Sequence, residues 1–584
     1  MSSSDYFVSL NPQQKEAVLN IQGPSIILAG AGSGKTRVLI AKVLNLIENH
    51  KINPKNILMI TFTNKAADEM KKRIGLSYQL GYIGTFHSFC AQVLRIDGQF
   101  INLKENFFIY DETDQLSLIK SIIKKVTLSR KYNPSYFLNR ISSAKNQMIS
   151  EKKYLNFFKD FAAEDVAIIY EKYQQELKEN NAVDFDDLLN KTVELFTIEP
   201  KILEKYQDKY QYILVDEFQD TNFVQYLLTK LLGQKYQNVT VVGDFSQSIY
   251  SWRGAEIENL KKFEKDFKKV KIFYLEKNYR STQTILDFAY KVISKNQTHP
   301  ILYLHTDKNE GDEIEFYEAS SEEDEAIFLA DKIEALQSQY LLDEIAVLYR
   351  TNAQSRVIEE VFLHRSIPYI LIGGTRFYER REIKDVLSYL RLLINPNDKL
   401  AKERILKLGK GRFKKFQDYY QANQEDFFKK TTNQLIEDIF QATGYLDQFD
   451  INDEEDYSRI ENIKELKSVA NVYPQVNEFL QQVALVESEY FEGEKLSKNK
   501  NGVKLMTLHQ AKGLEFSVVF IVGVEEGILP HSRSLDDNYS IEEERRLFYV
   551  GITRAKEKLI ITYSTRRSIF GGVNYSLKSR FLEE

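Results

Sequence analysis

The sequence is poor in cysteine and in long apolar runs, and both shortages exclude classes of protein. Its one cysteine, Cys90, excludes an internal disulfide framework and any zinc site built from several cysteines. All apolar runs are much shorter than the ~20 residues that a membrane-spanning helix needs. The start, MSSSDYFVSLNPQQ, lacks the features of a secretion signal. We therefore predict a cytoplasmic location without a membrane partner, and we expect Cys90 to be a plain buried residue.

An excess of charge of one sign is also absent. The formal net charge is −5 over 584 residues, and 28% charged with 43% hydrophobic residues is typical of a soluble globular protein. This balance neither indicates nor excludes a nucleic-acid partner, because a basic groove can lie on an acidic body. The length exceeds what a single core usually accommodates, so we expect about two to four domains.

Tryptophan is scarcer still. The single indole, Trp252, lies in QSIYSWRGA among polar and charged residues, whereas the chain has 35 Tyr and 37 Phe. A tryptophan that only fills a core would more often lie in an apolar run. We interpret this stretch as a surface loop, and its role depends on the motifs around it.

Short apolar runs of strand length fall into two sets along the chain. The first set is 25–28, 57–62, 212–216 and 239–244, and the second is 344–350, 503–509, 518–524 and 558–564. Residues 105–183 have helical periodicity and predict an all-helical insertion. A second, mostly helical insertion closes with the polar linker EGEKLSKNKNG. The pattern predicts the α/β fold class, with two lobes that are each interrupted by helices.

A glycine-rich segment, AGAGSGKT, lies between the first strand and a helical pattern and predicts a phosphate-binding loop. Its glycines let the backbone fold around phosphate oxygens, and the following helix N-terminus favours negative charge. Lys35 would reach the β- and γ-phosphates, and Thr36 would bind Mg²⁺. The strict motif has glycine where Ala29 stands. The residues expected to bind ATP in this loop are Ala29, Gly30, Ala31, Gly32, Ser33, Gly34, Lys35 and Thr36.

The segment YILVDEFQD supplies two carboxylates after an apolar strand. In parallel α/β proteins, ligands bind at the carboxyl edge of the sheet. We predict that Asp216 binds Mg²⁺, directly or through water, and that Glu217 orients or deprotonates the attacking water. Such a pair is more often a solvated strand end, but its combination with the glycine-rich loop favours the catalytic interpretation.

The second lobe has strands but no second glycine-rich loop of this kind. One nucleotide site in a two-lobe chain suggests that ATP binds between the lobes and that the second lobe supplies positive charge to the γ-phosphate. Arg280 in LEKNYRST and Arg554 in YVGITRAKE are candidates for that role. Spacing alone leaves open that these are solvent-facing arginines.

At this point the sequence resembles the UvrD/PcrA/Rep family of superfamily 1 DNA helicases. The resemblance rests on LNPQQKEAV, AGAGSGKT, TFTNKAADEM, GTFHSFC, DFDDLL, LVDEFQDTN, GDFSQSIYSWRGA, LEKNYRST, VLYRTNAQSR, MTLHQAKGLEF and EEERRLFYVGITRAKEKL, which occur in family order. It implies ATP- and Mg²⁺-driven 3′-to-5′ movement on single-stranded DNA. It also implies two RecA-like parallel-sheet lobes, 1A (1–104 and 184–277) and 2A (278–377 and 499–584), with helical insertions 1B (105–183) and 2B (378–498).

Further roles follow from the resemblance, residue by residue. Gln14 would read the adenine edge, and Tyr279 would stack on the adenine face. Gln247 would sense the γ-phosphate and link it to the DNA-binding loop. Glu515 would contact the nucleotide near its sugar. Arg280 and Arg554 would be the arginines that act on the γ-phosphate, so that the implied catalytic set is Lys35, Glu217, Gln247, Arg280 and Arg554.

The family's DNA-contact region corresponds to Phe62, His87, Tyr250, Trp252 and Arg253. Flat side chains stack on any base, which suits a motor that is indifferent to sequence. Phe62 taken alone could equally be a core residue. Trp252 adjoins the residues expected to sense the γ-phosphate, so we interpret the indole as a base-stacking group.

The chain departs from the family in 2B, which is short and lacks a clean Gly-hydrophobic-Gly turn in LGKGRFKKFQDYY. A contact between 2B and duplex DNA is therefore in doubt. The implied partners are single-stranded DNA, single/double-strand junctions and repair or replication proteins, with the protein acting as a monomer or transient oligomer. Two alternatives stay open: a translocase that strips proteins with little unwinding, and an ATP-gated DNA-binding switch.

Overall fold

The computed structural model describes residues 7–75, 78–130, 132–424, 426–451, 453–496, 501–569 and 572–584. The chain divides into two compact units. The first contains residues 1–280 and 293–307, and the second contains residues 281–292 and 308–584. The boundaries predicted for 1A, 1B, 2A and 2B remain a proposal.

The first unit is built on a six-stranded sheet whose strands are all parallel. Its order is β3-β2-β6-β7-β1-β8, and a two-stranded pair, β4 and β5, lies outside it. The strands are β1 (Ser25–Ala29), β2 (Ile57–Thr61), β3 (Tyr82–Thr85), β4 (Phe108–Ile109), β5 (Ala182–Val183), β6 (Tyr212–Val215), β7 (Val239–Gly243) and β8 (Lys271–Leu275).

Apolar side chains alternate between the two faces of this sheet. Ile26 and Leu28 of β1 belong to one buried core, whereas Ile27 and Ala29 belong to another. This alternation follows from the two-residue period of a strand, and it means that helices cover both faces. Strands β1, β2 and β7 are buried at every position, which explains why they read as continuous apolar runs.

Helices connect these strands and form the insertion. They are α1 (Pro12–Leu19), α2 (Lys35–Leu44), α3 (Asn64–Ile74), α4 (Phe86–Asp97), α5 (Glu112–Ile123), α6 (Pro134–Asn146), α7 (Tyr154–Phe157), α8 (Ala163–Glu179), α9 (Phe185–Ile198), α10 (Pro200–Lys209), α11 (Phe223–Gly233) and α12 (Asn259–Asp266). Cys90 in α4 is fully buried, as predicted, and burial raises the pKa of its thiol to about 12.

The prediction that residues 105–183 are entirely helical is wrong at the two ends of the segment. There the short strands β4 and β5 pair in parallel, with Phe108 opposite Ala182 and Ile109 opposite Val183. The chain enters and leaves the insertion side by side at this point. Pairing the two segments satisfies backbone N–H and C=O groups that helices cannot reach. Two residues are too few to produce a strand pattern in the sequence.

The second unit repeats the parallel architecture with the strand order β11-β12-β10-β13-β14-β9, and β15 and β16 form an antiparallel pair. The strands are β9 (Glu315–Ala319), β10 (Ile345–Tyr349), β11 (Tyr369–Leu371), β12 (Val503–Thr507), β13 (Phe516–Ile521), β14 (Ala555–Ser564), β15 (Arg566–Ile569) and β16 (Gly572–Tyr575). The predicted fold class, α/β with two parallel sheets, is confirmed.

The helices of this unit include a group with a buried core of its own, formed by residues between 377 and 486. The helices are α13 (Gln283–Ile293, whose last residue belongs to the first unit), α14 (Glu322–Leu336), α15 (Ser355–His364), α16 (Arg381–Ile394), α17 (Lys399–Lys407), α18 (Lys410–Asn423), α19 (Thr432–Thr443), α20 (Glu454–Val472), α21 (Val476–Leu496), α22 (Asn538–Ile552) and α23 (Arg580–Glu583).

The linker predicted at EGEKLSKNKNG is partly wrong. Helix α21 continues to Leu496, and residues 497–500 lie outside the described residues. The helix-forming residues of EKL outweigh the cost of one glycine in a helix interior, about 1 kcal/mol. No helix within the described ranges is both long and apolar enough to cross a membrane.

A buried ionic cluster fastens the insertion to the sheet-bearing part of the first unit. The ammonium of Lys145 in α6 lies 2.6 Å from Asp184 and 2.9 Å from Asp187, at the start of α9. The hydroxyl of Tyr173 donates to Asp184 over 3.0 Å. All three charged side chains are almost fully buried. One cation therefore balances two carboxylates that water cannot reach.

We predict that Lys145→Met lowers the free energy of unfolding by about 3–5 kcal/mol, because it leaves buried carboxylates without their partner. The measurement is urea denaturation followed by circular dichroism. Lys172→Met is the matched control, since Lys172 lies exposed on α8 and should change stability by less than about 0.5 kcal/mol. Equal effects of the two substitutions would show that the cluster does not hold the insertion in place.

Candidate nucleotide and nucleic-acid site

The candidate site of the first unit lies at the carboxyl edge of its sheet. The glycine-rich loop follows β1, Asp216 and Glu217 follow β6, and Gln247 follows β7 within a short 3₁₀ turn. Because these strands are parallel, the segments that leave them meet at the same edge. The fold thus brings together residues that are far apart in the sequence.

The loop is held in shape by its own hydrogen bonds. Gly32 has φ of 65°, a left-handed conformation that glycine adopts without strain. The hydroxyl of Ser33 donates to the carbonyl of Gly30 over 2.8 Å. Lys35 begins α2, and its ammonium lies 3.4 Å from the carbonyl oxygen of Ala29. The side-chain amide of Gln14, fully buried, donates to the carbonyl of Ser33 over 2.8 Å.

The segment after β8 forms hydrogen bonds to the same loop. It includes Asn278, to which the sequence-based prediction gave no role. The amide of Asn278 donates to the carbonyl of Ala31 over 2.6 Å, and its oxygen accepts from the N–H of Arg280. The N–H of Tyr279 donates to the carbonyl of Gly32. The Tyr279 ring is 41% exposed beside the loop. This placement leaves a flat ring accessible where a stacking partner for adenine is expected.

Asp216 is more buried than Glu217, the other carboxylate of the predicted pair. Burial raises the pKa of its carboxyl to about 7; the charge of Glu217 adds to the rise and Lys35 opposes it. The backbone N–H of Asp216 donates to the carbonyl of Ile60 in β2. The side-chain oxygen Oδ1 is buried and has no hydrogen-bond partner among the described residues. An unpartnered buried carboxylate oxygen is costly unless something binds it.

This arrangement fits Mg²⁺. No group of three or more His, Cys, Asp or Glu side chains able to hold a metal occurs in the part of the chain described. Mg²⁺ does not require such a cage, since it is usually held by one or two protein oxygens together with waters and substrate phosphates. Asp216 and Thr36 could supply those oxygens at this edge.

Glu217 has a backbone conformation that non-glycine residues rarely adopt, with φ of 49° and ψ of 43°. The side-chain amide of Gln219 donates to its carboxylate over 2.7 Å. Strained backbone of this kind persists only where surrounding contacts hold it. The strand end and the turn at Phe218–Asp220 therefore present the Glu217 carboxylate in a fixed direction.

Asp244 is a central residue of the site that the sequence-based prediction missed. Its carboxylate accepts from the side-chain amide of Gln247 over 2.5 Å and lies 3.9 Å from the ammonium of Lys35. Burial raises its pKa, and the charge of Lys35 and the hydrogen bond from Gln247 oppose the rise. Asp244 follows β7 directly, so the strand-end reasoning applied to Asp216 could have found it.

The arginines and the glutamate predicted near the nucleotide lie in different environments. Arg280 is half-buried and follows Tyr279 in the segment after β8. Arg554, in the second unit, is buried and donates to the carbonyls of Val550 and Leu514. Glu515 forms an ion pair of 3.0 Å with Lys556. These contacts fix the side chain of Arg554 and pair that of Glu515 within the second unit, and the roles of all three residues toward ATP stay predictions.

Three of the five predicted DNA-contact residues form one aromatic group. Phe62 and Tyr250 stack with ring centroids 5.9 Å apart and planes inclined by 8°. Tyr250 meets Trp252 edge-on at 6.4 Å, and the indole is 51% exposed. Phe62 is half-buried, so it serves this stack rather than a closed core. The prediction that Trp252 lies at the surface is confirmed.

The other two residues are placed differently. His87 lies near the start of α4 and packs edge-on against the exposed ring of Phe185 at 5.9 Å. Burial lowers the pKa of its imidazole. Arg253 lies in a 3₁₀ turn with Trp252, and its side chain lies outside what the structure describes.

A parallel α/β sheet with a glycine-rich phosphate loop at its carboxyl edge places the first unit in the P-loop class of nucleotide-binding proteins. The sequence pattern of the UvrD/REP helicase N-terminal domain matches residues 10–268. The pattern of the UvrD-like helicase C-terminal domain matches residues 273–413 and 407–566. The chain therefore belongs to the UvrD/Rep helicase family.

Two relatives are similar over almost the whole chain. The ATP-dependent DNA helicase PcrA of Staphylococcus epidermidis is 42% identical over 99% of this chain and 86% of its own length. The PcrA helicase of Staphylococcus aureus is 41% identical over 98% of this chain and 86% of its own length. The first alignment spans 632 positions, more than the 584 residues of this chain, so that relative has segments that this chain lacks.

We predict that Trp252→Ala weakens binding of single-stranded DNA about 5- to 150-fold, which corresponds to the ~1–3 kcal/mol of one base–aromatic stack. Fluorescence anisotropy of labelled oligo-dT measures this. The unmodified protein gives a second readout, because all its indole emission comes from Trp252. Oligo-dT should quench that emission.

Phe100→Ala is the matched control, since Phe100 is 49% exposed and belongs to none of the predicted contact residues. Its DNA affinity should equal that of the unmodified protein. Unquenched indole emission together with unchanged affinity of Trp252→Ala would remove Trp252 from the DNA site.

Proposed function

We propose that this protein is an ATP- and Mg²⁺-dependent DNA helicase that moves 3′ to 5′ along single-stranded DNA. One observation carries the proposal: the glycine-rich loop, two strand-end carboxylates and Gln247 meet at one sheet edge, and Trp252 follows Gln247 by five residues. A nucleotide site and a candidate base-stacking group thus share one short segment. The family of the chain and its PcrA relatives support the same function.

The chemistry assigned to the site follows from its charges. Lys35 and the N–H groups of the loop would bind the β- and γ-phosphates, while Gln14 and Tyr279 would bind and stack on adenine. Glu217 would accept the proton of the attacking water, and Gln247 would sense the γ-phosphate. Bound Mg²⁺ would neutralise developing charge on the phosphate oxygens, held by Thr36 and Asp216. Arg280, Arg554 and Glu515 are assigned to the nucleotide on the strength of the family motifs.

The DNA assignment rests on Phe62, Tyr250 and Trp252, with His87 and Arg253 as further contacts. Stacking needs no particular base, so the substrates proposed are single-stranded DNA and single/double-strand junctions. We place the activity in DNA repair or replication in the cytoplasm, by a monomer or transient oligomer. The domain scheme assigned to it is 1A, 1B, 2A and 2B, with the boundaries given above.

A second candidate function is a translocase that strips proteins from single strands with little unwinding. It is favoured by the short 2B insertion, since the C-terminal pattern matches in two pieces that overlap inside it, at residues 407–413. A shorter insertion offers less surface to a duplex. An ATP-gated switch would instead hydrolyse ATP slowly even when DNA is bound.

We predict that Glu217→Gln lowers DNA-stimulated ATP turnover about 10²- to 10⁴-fold, because it removes the proposed general base while keeping size and hydrogen bonding. Binding of a fluorescent ATP analogue should be preserved. Steady-state ATPase and equilibrium titration measure the two effects.

Glu264→Gln makes the same chemical change on the exposed face of α12 and should leave turnover unaltered. Turnover of Glu217→Gln within a factor of about two of the unmodified protein would exclude Glu217 as the base.

We also expect the protein to unwind duplexes with a 3′ single-stranded tail and not those with a 5′ tail, in the presence of ATP and Mg²⁺. The measurement is strand displacement on matched substrates, with streptavidin removal from a biotinylated strand run in parallel. Displacement of streptavidin without unwinding would favour the second candidate. Unwinding only from 5′ tails would contradict the proposed direction.

A further inference from the structure

Gln219 lies two residues after Glu217, and both the oxygen and the nitrogen of its side-chain amide form hydrogen bonds within the first unit. It is fully buried in the turn Phe218–Asp220. Its Oε1 accepts from the backbone N–H of Asp244 over 3.0 Å. Its Nε2 donates to Glu217 Oε2 over 2.7 Å and to Asp220 Oδ2 over 3.1 Å.

This network fixes which way the amide points. The N–H of Asp244 can only donate, so the amide oxygen must face it. The NH₂ group must then face the two carboxylates, and each of its hydrogens has one acceptor. Gln219 therefore fixes the direction in which the Glu217 carboxylate points.

The other end of the amide connects to the phosphate side of the site. The carboxylate of Asp244 binds the Gln247 amide and lies near Lys35. The hydroxyl of Ser248 donates to the backbone carbonyl of Gln219 over 3.1 Å. Gln219 is thus hydrogen-bonded to the segment after β6 and to the segment after β7.

The last residue of β7 leaves room for this amide. A Cβ atom on Gly243 would lie 2.6 Å from Gln219 Oε1, which is closer than real contacts allow. The backbone of Gly243 needs no glycine for its own conformation, since its φ is outside the left-handed region. The space at Gly243 therefore serves the position of Gln219.

We propose that Gln219 is a positioning residue for ATP hydrolysis, which orients Glu217 and ties it to Asp244 beside Gln247. The inference rests on the proposed function, because it assigns Gln219 to the same reaction. It differs from a purely structural role in one respect: a substitution at 219 should lower kcat and leave KM for ATP nearly unchanged.

The decisive variant is Gln219→Glu, which preserves size but places a third carboxylate against Glu217 and Asp220. We expect kcat to fall about 10- to 100-fold, as for other misplaced catalytic groups, with KM for ATP changed less than about twofold. A loss confined to kcat is expected of a displaced Glu217, whereas a general loss of the site's structure would also raise KM.

Gln225→Glu is the matched control. Gln225 is a buried glutamine of the same segment, and its Oε1 accepts from the N–H of Asn222 at the start of α11. A carboxylate can also accept there, so kcat and KM for ATP should stay unchanged. A normal kcat in Gln219→Glu, or a fall in kcat accompanied by an equally large rise in KM, overturns the proposal.

A second pair of variants keeps the proposal testable if Gln219→Glu does not fold. Gly243→Ala should lower kcat by displacing the amide, but it should add little to the loss caused by Gln219→Ala, because the clash is then gone. Additive losses in the double variant would overturn the proposal. The unmodified protein and Glu217→Gln separate the two hypotheses: if the unmodified protein has no DNA-stimulated ATP turnover, the proposed function fails, whereas if it turns over ATP, Glu217→Gln is inactive and Gln219→Glu is normal, only the positioning role fails.

Discussion

The parallel register of the central strands is the constraint on which the candidate site depends. In the first unit, β6, β7 and β1 are neighbours and run in one direction, so Asp216, Asp244 and the glycine-rich loop emerge at one edge. An antiparallel neighbour would send one of these segments to the opposite edge. Burial of both faces of the sheet keeps the strands rigid, and the polar groups of the site are therefore placed by an apolar core.

Two carboxylates at this edge lie in a poorly solvated environment. The carboxylates of Asp216 and Asp244 are almost fully buried near the ammonium of Lys35. Burial raises the pKa of both carboxyls, and Lys35 only partly offsets this. A nearby cation and hydrogen-bond donors favour the ionised form of such carboxyls. Perturbed acids at a sheet edge that binds ligands are therefore expected of a functional site rather than of a structural ion pair.

Whether a strand could be predicted from the sequence depended on its position in the sheet. The strands predicted from apolar runs are the four central strands of each sheet, and the missed strands β3, β8, β9 and β11 are the edges. Central strands are buried on both faces and read as continuous apolar runs, whereas β8 and β9 alternate with exposed positions. The phosphate loop was predictable from local chemistry. Asn278 and Gln219 act through tertiary contacts to Ala31 and Asp244, and no local pattern encodes such contacts.

A continuous series of hydrogen bonds in the first unit runs from Glu217 to Gln247, five residues before the single tryptophan. Glu217 is bound by Gln219, Gln219 by Asp244, and Asp244 by Gln247. Coupling between two sites requires an element whose arrangement both sites can bias. The proposed function assigns this part to the segment from Asp244 to Trp252, because one end contacts the groups expected around the γ-phosphate and the other carries the exposed indole. On that proposal the indole responds to the state of the nucleotide, which a tryptophan enclosed in an apolar core could not do.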